Sequence, residues 1–197
     1  AMMMEMEEVN KDTHENLEMI KASCAKARGI VADLLDAANN ENINIIDTQR
    51  TELNHFLKRI ANEWKTQKNG KGNIVLIGSK DQIFAEINAE KFQRVMDNLI
   101  TNALKFSKEN GKIDIYLSEK DKCAVIEVRD YGVGIPHDML PYIFERFSKA
   151  RRPGVRGEQS TGLGLSISKQ IIENHNGTIE VMSEEKKGST FTIKVPV

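Results

Sequence analysis

Three short segments, in a fixed order, constrain this chain more than its composition does. Asn98-Leu99-Ile100-Thr101-Asn102-Ala103-Leu104-Lys105-Phe106 has the apolar spacing of a helix. Asp130-Tyr131-Gly132-Val133-Gly134-Ile135-Pro136 ends a run that alternates like a strand. Ser160-Thr161-Gly162-Leu163-Gly164-Leu165 opens a second helical pattern. Any one glycine pair says little. All three in this order imply a mixed α/β domain whose separate parts build one nucleotide site.

Composition narrows the class. The 197 residues suffice for one domain of ordinary size plus an extra element. The formal net charge of −1 argues against a nucleic-acid-coating surface, so no nucleic-acid partner is expected. Cys24 and Cys123 form no C-x-x-C pair and fit a reducing, cytoplasmic compartment. No apolar run reaches the roughly 18 residues of a membrane span, although an intact parent with a membrane anchor is compatible with this. Ala1 ahead of Met2-Met3-Met4 reads as the start of an excised piece and has no secretory signal pattern.

Leu17, Ile20, Cys24, Ala27, Val31, Leu34 and Leu35 recur at helical steps, which predicts one long helix from about Glu5 to Asn39. Such a stripe needs a partner surface, in another chain or another segment. Asn39-Asn40-Glu41-Asn42 is a polar break, giving an N-terminal helix over 1–42 and a second domain over 43–197. In that domain the pattern predicts a strand at Ile43–Asp47 and a helix at Gln49–Gln67. Strands at Asn73–Ser79 and Gln82–Ile87 are expected to be joined by a tight turn. The asparagine helix covers Asn88–Ser107, with Asn88 as N-cap. A hairpin follows at Lys112–Ser118 and Lys122–Asp130, then a short helix at Asp138–Phe147 and a basic, mobile loop from Lys149 to Ser160. A helix at Gly162–Asn174 and a hairpin of Thr178–Met182 with Thr190–Val195 close the chain. The expected fold is a two-layer α/β sandwich with a mixed sheet.

The chemistry of each segment follows from its residues. At 100° per residue, Lys91, Arg94, Asn98, Asn102 and Lys105 share one face, beside the apolar arc of Phe92, Val95, Met96, Leu99 and Ala103. The asparagine oxygens suit a hard cation such as Mg2+, which takes few protein ligands plus substrate phosphates. Lys105 offers a point charge for phosphate, and Phe106 a ring for a base. Asp130, at a strand end, suits an exocyclic amine, and so favours adenine over guanine. Gly132 and Gly134 let backbone approach a ring. Gly162 to Leu165 presents free N–H groups and a helix dipole to phosphate. The preceding loop carries Lys149, Arg151, Arg152 and Arg156. Each feature also has a plain structural alternative: a solvated face, a turn containing Asp, a glycine-started helix. There is no G-x-x-x-x-G-K-[ST], and His137 stands where a dinucleotide-binding turn wants its third glycine.

Together these residues resemble the catalytic ATP-binding domain of sensor histidine kinases, in the wider GHKL group with gyrase, Hsp90 and MutL. Asn98–Phe106 resembles the N box and Asp130–Pro136 the G1 box. Ile143-Phe144-Glu145-Arg146-Phe147 resembles the F box, and Thr161–Leu165 the G2 box. The resemblance covers about Ile43 to Val197. It implies the Bergerat sandwich and binding of ATP with Mg2+. Asn102, with Asn98 near it, would ligate the metal. Lys105 would approach the phosphates and act with Asn98 as a catalytic residue. Phe106 and Asp130 would hold adenine, beside Gly132, Gly134 and Ile135. Thr161, Gly162, Leu163, Gly164 and Leu165 would bound the nucleotide at the end of an ATP lid, Ser148–Ser160, with Arg151 as a phosphate contact.

The N-terminal helix resembles the second helix of the family's dimerisation and phosphoacceptor hairpin. The acceptor histidine belongs to a first helix that this sequence does not show. His14-Glu15 resembles the acceptor box superficially, but Met19 stands where proline is expected. The resemblance thus implies a protein histidine kinase transferring the γ-phosphoryl group to a histidine of a missing phosphoacceptor helix or a second protomer, with relay to a response regulator receiver domain and a possible homodimer. The alternatives are a degenerate nucleotide-sensing module and a GHKL ATPase. That ATPase group carries a glutamate one turn before the metal asparagine, where this chain has Asn98.

Overall fold

The computed structural model describes residue 17 and residues 47–67, 73–108, 111–148, 150, 152–158 and 160–197. The predicted N-terminal helix with His14, and the strand expected at Ile43–Asp47 except its last residue, fall outside them. Asp47 itself is not in a strand, and Leu17 is helical and exposed. All other described residues belong to one compact unit, Asn44–Val197.

In chain order its elements are β1 (Gln49–Glu52), α1 (Leu53–Gln67), β2 (Asn73–Ile77), β3 (Phe84–Ile87), α2 (Ala89–Phe106), β4 (Lys112–Lys120), β5 (Cys123–Asp130), α3 (Gly164–Asn174), β6 (Thr178–Glu184) and β7 (Gly188–Pro196), with a 3-10 turn at Leu140–Tyr142. Five strands form one sheet in the order β2-β4-β5-β7-β6. β2 and β4 are parallel and the other pairs antiparallel. β1 and β3 form a separate antiparallel pair.

Alternation sends Ile113, Ile115 and Leu117 of β4, Ala124, Ile126 and Val128 of β5, and Phe191, Ile193 and Val195 of β7 to the same face. The helices cover that face. α2 contributes Phe92, Val95, Met96, Leu99, Ile100 and Ala103, all buried as its apolar arc predicts. α1 adds Phe56, Leu57 and Ile60, and α3 adds Ile167, Ile171 and Ile172. This is the expected two-layer α/β sandwich with a mixed sheet.

Four local expectations are corrected. The helix predicted from Gln49 begins at Leu53, because the Glu52 carboxylate accepts the N–H groups of Asn54 (2.9 Å) and His55 (2.7 Å) and so caps it. Gln49–Glu52 pairs instead with β3. β2 and β3 are not a hairpin. Asn54 Nδ2 donates to the Asp81 carbonyl at 3.0 Å, which holds the connection against α1 and takes β3 out of the main sheet. The helix expected at Asp138–Phe147 shrinks to a 3-10 turn. Pro141 has no N–H to donate, and Phe147 leaves helical space at φ 53°. The helix expected from Gly162 begins at Gly164, since Gly162 sits at φ 76°.

One buried histidine ties the helices together. His175, at the C-terminus of α3, accepts the Asn88 N–H at Nε2 (2.9 Å) and sets Nδ1 against the Ile171 carbonyl (2.7 Å). Asn88 is the N-cap of α2, its Oδ1 accepting the Lys91 N–H at 3.0 Å, as its sequence position predicts. Burial holds the imidazole below its ordinary pKa, and nearby Lys91 acts in the same direction, so the neutral form is favoured.

Candidate functional site

A cleft of about 840 Å3, its open mouth included, lies between the C-terminal half of α2, the turn after β5, the start of α3 and the start of β7. Asn98, Asn102 and Phe106 line it from α2. Their spacing of four residues stacks them along one helix face, which the burial of the adjoining apolar arc sets at the edge of the core, toward the cleft. Asp130 and Ile135 line it from the turn after β5, and Thr161, Gly162, Gly164 and Leu165 from the start of α3. The three sequence segments therefore converge on one cavity.

The glycines have steric reasons. A Cβ at Gly132 would run into the Phe106 carbonyl, and one at Gly164 into Asn98 Oδ1. The turn after β5 thus packs directly on the end of α2, and α3 begins directly on Asn98. Val133 N–H donates to the Phe106 carbonyl at 3.0 Å, fixing the first contact. Asn98 Nδ2 donates to Ser168 Oγ at 2.9 Å, fixing the second.

Four predicted site residues do not line the cleft. Gly134 is buried at φ 67°, packed against the Glu184 carbonyl. Gly132 is buried behind Asp130 and gives its N–H to Asp130 Oδ1 at 2.9 Å. Leu163 is buried in the core, immediately before α3. Lys105 is also buried; its Nζ donates to Ser160 Oγ at 2.8 Å and lies 5.5 Å from the Phe106 ring centroid. Arg151 is outside the described residues.

Asp130 is 5% exposed. Burial pushes its carboxyl above the usual range. The Gly132 N–H, the N–H and hydroxyl of Ser189, and the Arg152 charge oppose that rise. It is therefore a held acceptor rather than a solvated charge. Ser189 of β7 also lines the cleft, and Ser183 Oγ of β6 accepts the Ile135 N–H at 2.8 Å. Neither serine is prominent in the sequence. Their signal is the register: Arg129 pairs with Thr190, which places Ser189 beside Asp130.

The F-box segment closes the far wall. Ile143 lines the cleft, and Phe144 meets the Phe191 ring edge-on at 6.4 Å between centroids. Arg146 Nη2 donates to Gln170 of α3 at 3.3 Å. The described part of Ser148–Ser160 has neither helix nor strand and packs on the end of α2.

A cleft with a seated carboxylate at one end, a line of carboxamides along one wall and helix-start N–H groups at the other defines an ATP-binding α/β sandwich. Among the described residues no three His, Cys, Asp or Glu side chains gather into a metal site, and no helix is long and apolar enough to cross a membrane. The model of the histidine kinase-, DNA gyrase B-, and HSP90-like ATPase family matches residues 87–197, and the chain belongs to that family. It is 32% identical over 185 residues to the sensor histidine kinase TmoS of Ectopseudomonas mendocina, covering 93% of this chain and 19% of TmoS. The chain thus spans about a fifth of the length of that relative. The nucleotide-free catalytic domain of the histidine kinase ThkA superposes with a TM-score of 0.64 at 25% identity, over 77% of this chain and 96% of that one. ThkA in complex with the response regulator TrrA gives a TM-score of 0.70 at 22% identity, over 90% of this chain and 49% of that one. The chain carries an ATP-binding catalytic domain of the sensor histidine kinase type.

Proposed function

We propose that this domain binds ATP with Mg2+ and presents the γ-phosphoryl group to a histidine on a phosphoacceptor helix, for relay to a response regulator. One observation carries the reading: Asn98, Asn102, Phe106, Asp130, Thr161, Gly162, Gly164 and Leu165 open onto a single cleft. Asp130 accepts the adenine amine, and Phe106 and Ile135 flank the base. Asn102, with Asn98 beside it, supplies neutral oxygens to the metal; such a donor set suits Mg2+, which fills its shell from phosphates and water. When bound, the metal neutralises phosphate charge. The N–H groups at the start of α3 hold the phosphates in place, and Lys105 joins them when its Nζ leaves Ser160 Oγ. The chain's contribution to transfer is positioning and charge stabilisation.

The phosphoacceptor helix and the receiver domain are supported by the sensor kinase relatives and by ThkA, which has been solved with its response regulator. Asn98 argues against a hydrolase of the gyrase kind, because a carboxamide cannot take a proton from water. The test is phosphorylation in trans. The chain is mixed with a separately produced phosphoacceptor hairpin of a sensor kinase and γ-labelled ATP. Acid-labile label on the hairpin is the expected result. Steady release of inorganic phosphate with no labelled hairpin would refute the kinase reading.

A further inference from the structure

The described residues between Phe147 and Thr161 are fastened to the end of α2. Val155 N–H donates to the Lys105 carbonyl at 3.0 Å, and Arg156 Nη2 to the Leu104 carbonyl at 3.1 Å. Gly154 packs so closely on the Lys105 side chain that a Cβ there would collide with it. Within this docked stretch Arg152 turns inward. Its guanidinium carbon lies 4.7 Å from the centroid of the Phe106 ring, and its Nη2 donates to the Gly134 carbonyl. The negative charges of Asp130 and Glu185 attract it, and it lines the same cleft as Phe106, Asp130 and Ile135.

We propose that Arg152 is the resident of the base subsite: with no nucleotide bound, its guanidinium holds the place between Phe106 and the Asp130–Gly134 turn that a nucleobase takes. This rests on reading the cleft as an ATP site. The chemistry of the two occupants is alike. A guanidinium is flat, stacks on aromatic faces and donates to carbonyl and carboxylate oxygens. Adenine is also flat, stacks on the same ring and brings an amine to the same carboxylate. Gly132 and Ser189 already donate to the buried Asp130 carboxylate, and the Arg152 charge adds to them while the base is absent.

The consequence is competition. The base subsite is available only in the fraction of molecules whose Arg152 has swung out, so apparent affinity for a nucleoside phosphate is reduced by that fraction. A ligand that engages only the phosphate end of the cleft does not meet Arg152. This distinguishes Arg152 from an arginine that grips phosphate, whose loss weakens both kinds of ligand.

Titration calorimetry of the chain and its Arg152→Ala variant, with Mg2+ present, tests this using AMP-PNP and tripolyphosphate as probes. Arg152→Ala is expected to tighten AMP-PNP by about threefold or more and to leave tripolyphosphate unchanged. Weaker AMP-PNP binding would make Arg152 a nucleotide ligand and overturn the inference. Unchanged AMP-PNP binding, or equal tightening of tripolyphosphate, overturns it as well. If neither protein binds AMP-PNP, the ATP reading fails and the inference with it. If the wild type binds and the variant gains nothing, the inference fails alone.

Discussion

The hydroxyl of Tyr131 donates to Asp114 Oδ2 at 2.8 Å, on the face of the sheet opposite the core. Ile113, the neighbour of Asp114, pairs with Asp130 in the ladder and points the other way. One residue step thus separates the carboxylate that lines the cleft from a carboxylate that pins the turn from behind. Asp114 also accepts Lys112 Nζ at 2.8 Å, and the Tyr131 ring lies beneath Arg129 at 5.0 Å. Tyr131→Phe removes one hydrogen bond from a part-exposed tyrosine and is expected to cost about 1 kcal/mol of stability. Urea denaturation of the two proteins checks this; equal midpoints would show that the bond contributes nothing.

Asp114 gives stability a dependence on acid. Burial alone would raise its carboxyl, but the Lys112 and Tyr131 hydrogen bonds and the Lys112 charge outweigh it and hold the group below its ordinary 3.8. A depressed folded pKa means that this contribution is present above about pH 4 and is lost as pH falls through the folded value. Asp114→Asn should therefore flatten the acid limb of the stability curve. An unaltered limb between pH 5 and 2 by circular dichroism would assign acid sensitivity elsewhere.

His175 acts in a neighbouring pH window. Its folded pKa lies below the ordinary 6.5. The unfolded chain binds the proton more readily, so stability is full above about pH 6.5 and declines as pH falls below it. Protonation would put a donor at Nε2 against the Asn88 N–H that it accepts in the native state. His175→Gln is expected to remove the decline between pH 7 and 5. Denaturation curves across that range that keep the wild-type slope in the variant would contradict this.

Asp130→Asn separates binding from stability. A charge-assisted hydrogen bond of roughly 1.5–3 kcal/mol predicts adenine nucleotide affinity lower by tenfold or more. Because burial raises the Asp130 carboxyl, its ionised form lowers stability as pH rises through the folded pKa. The variant should then be at least as stable as the wild type at pH 7. Calorimetric affinity equal to that of the wild type would remove Asp130 from the base subsite.

Asn102→Ala addresses the metal. Removing that oxygen should abolish most of the Mg2+ dependence of AMP-PNP affinity while leaving binding of adenosine intact. Titrations with Mg2+ and with EDTA provide the comparison. A Mg2+ enhancement as large as in the wild type would exclude Asn102 as a ligand.

How much was legible in the sequence depends on what each element answers to. α2 was readable because one face is set by the core and the other by the cleft, so Phe92, Leu99, Asn98 and Asn102 all carried signal. Asp130 and its glycines are readable because the turn tolerates no side chain, Gly132 lying against the Phe106 carbonyl and Gly134 against that of Glu184 at φ 67°. β1 was not, since Gln49–Glu52 is half exposed and has no alternation to show. Nor was the separation of β2 from β3, which depends on Asn54 reaching Asp81. Ser189 is silent in the sequence, and Arg152 stands out no more than the other loop cations, for a related reason. Their roles come from which strands lie side by side and where a docked loop turns inward, and neither fact is local.

β7 lies inside the sheet, between β5 and β6, although it is the last element of the chain. Its early residues, Ser189 and Phe191, form one wall of the cleft. During synthesis, α2 and β5 emerge long before their neighbour in the sheet exists. A ribosome must therefore deliver almost the whole of this chain before any of it can hold a nucleotide, and a nascent chain halted at β6 would expose the β5 edge and an unfinished cleft to the cell's chaperones and proteases.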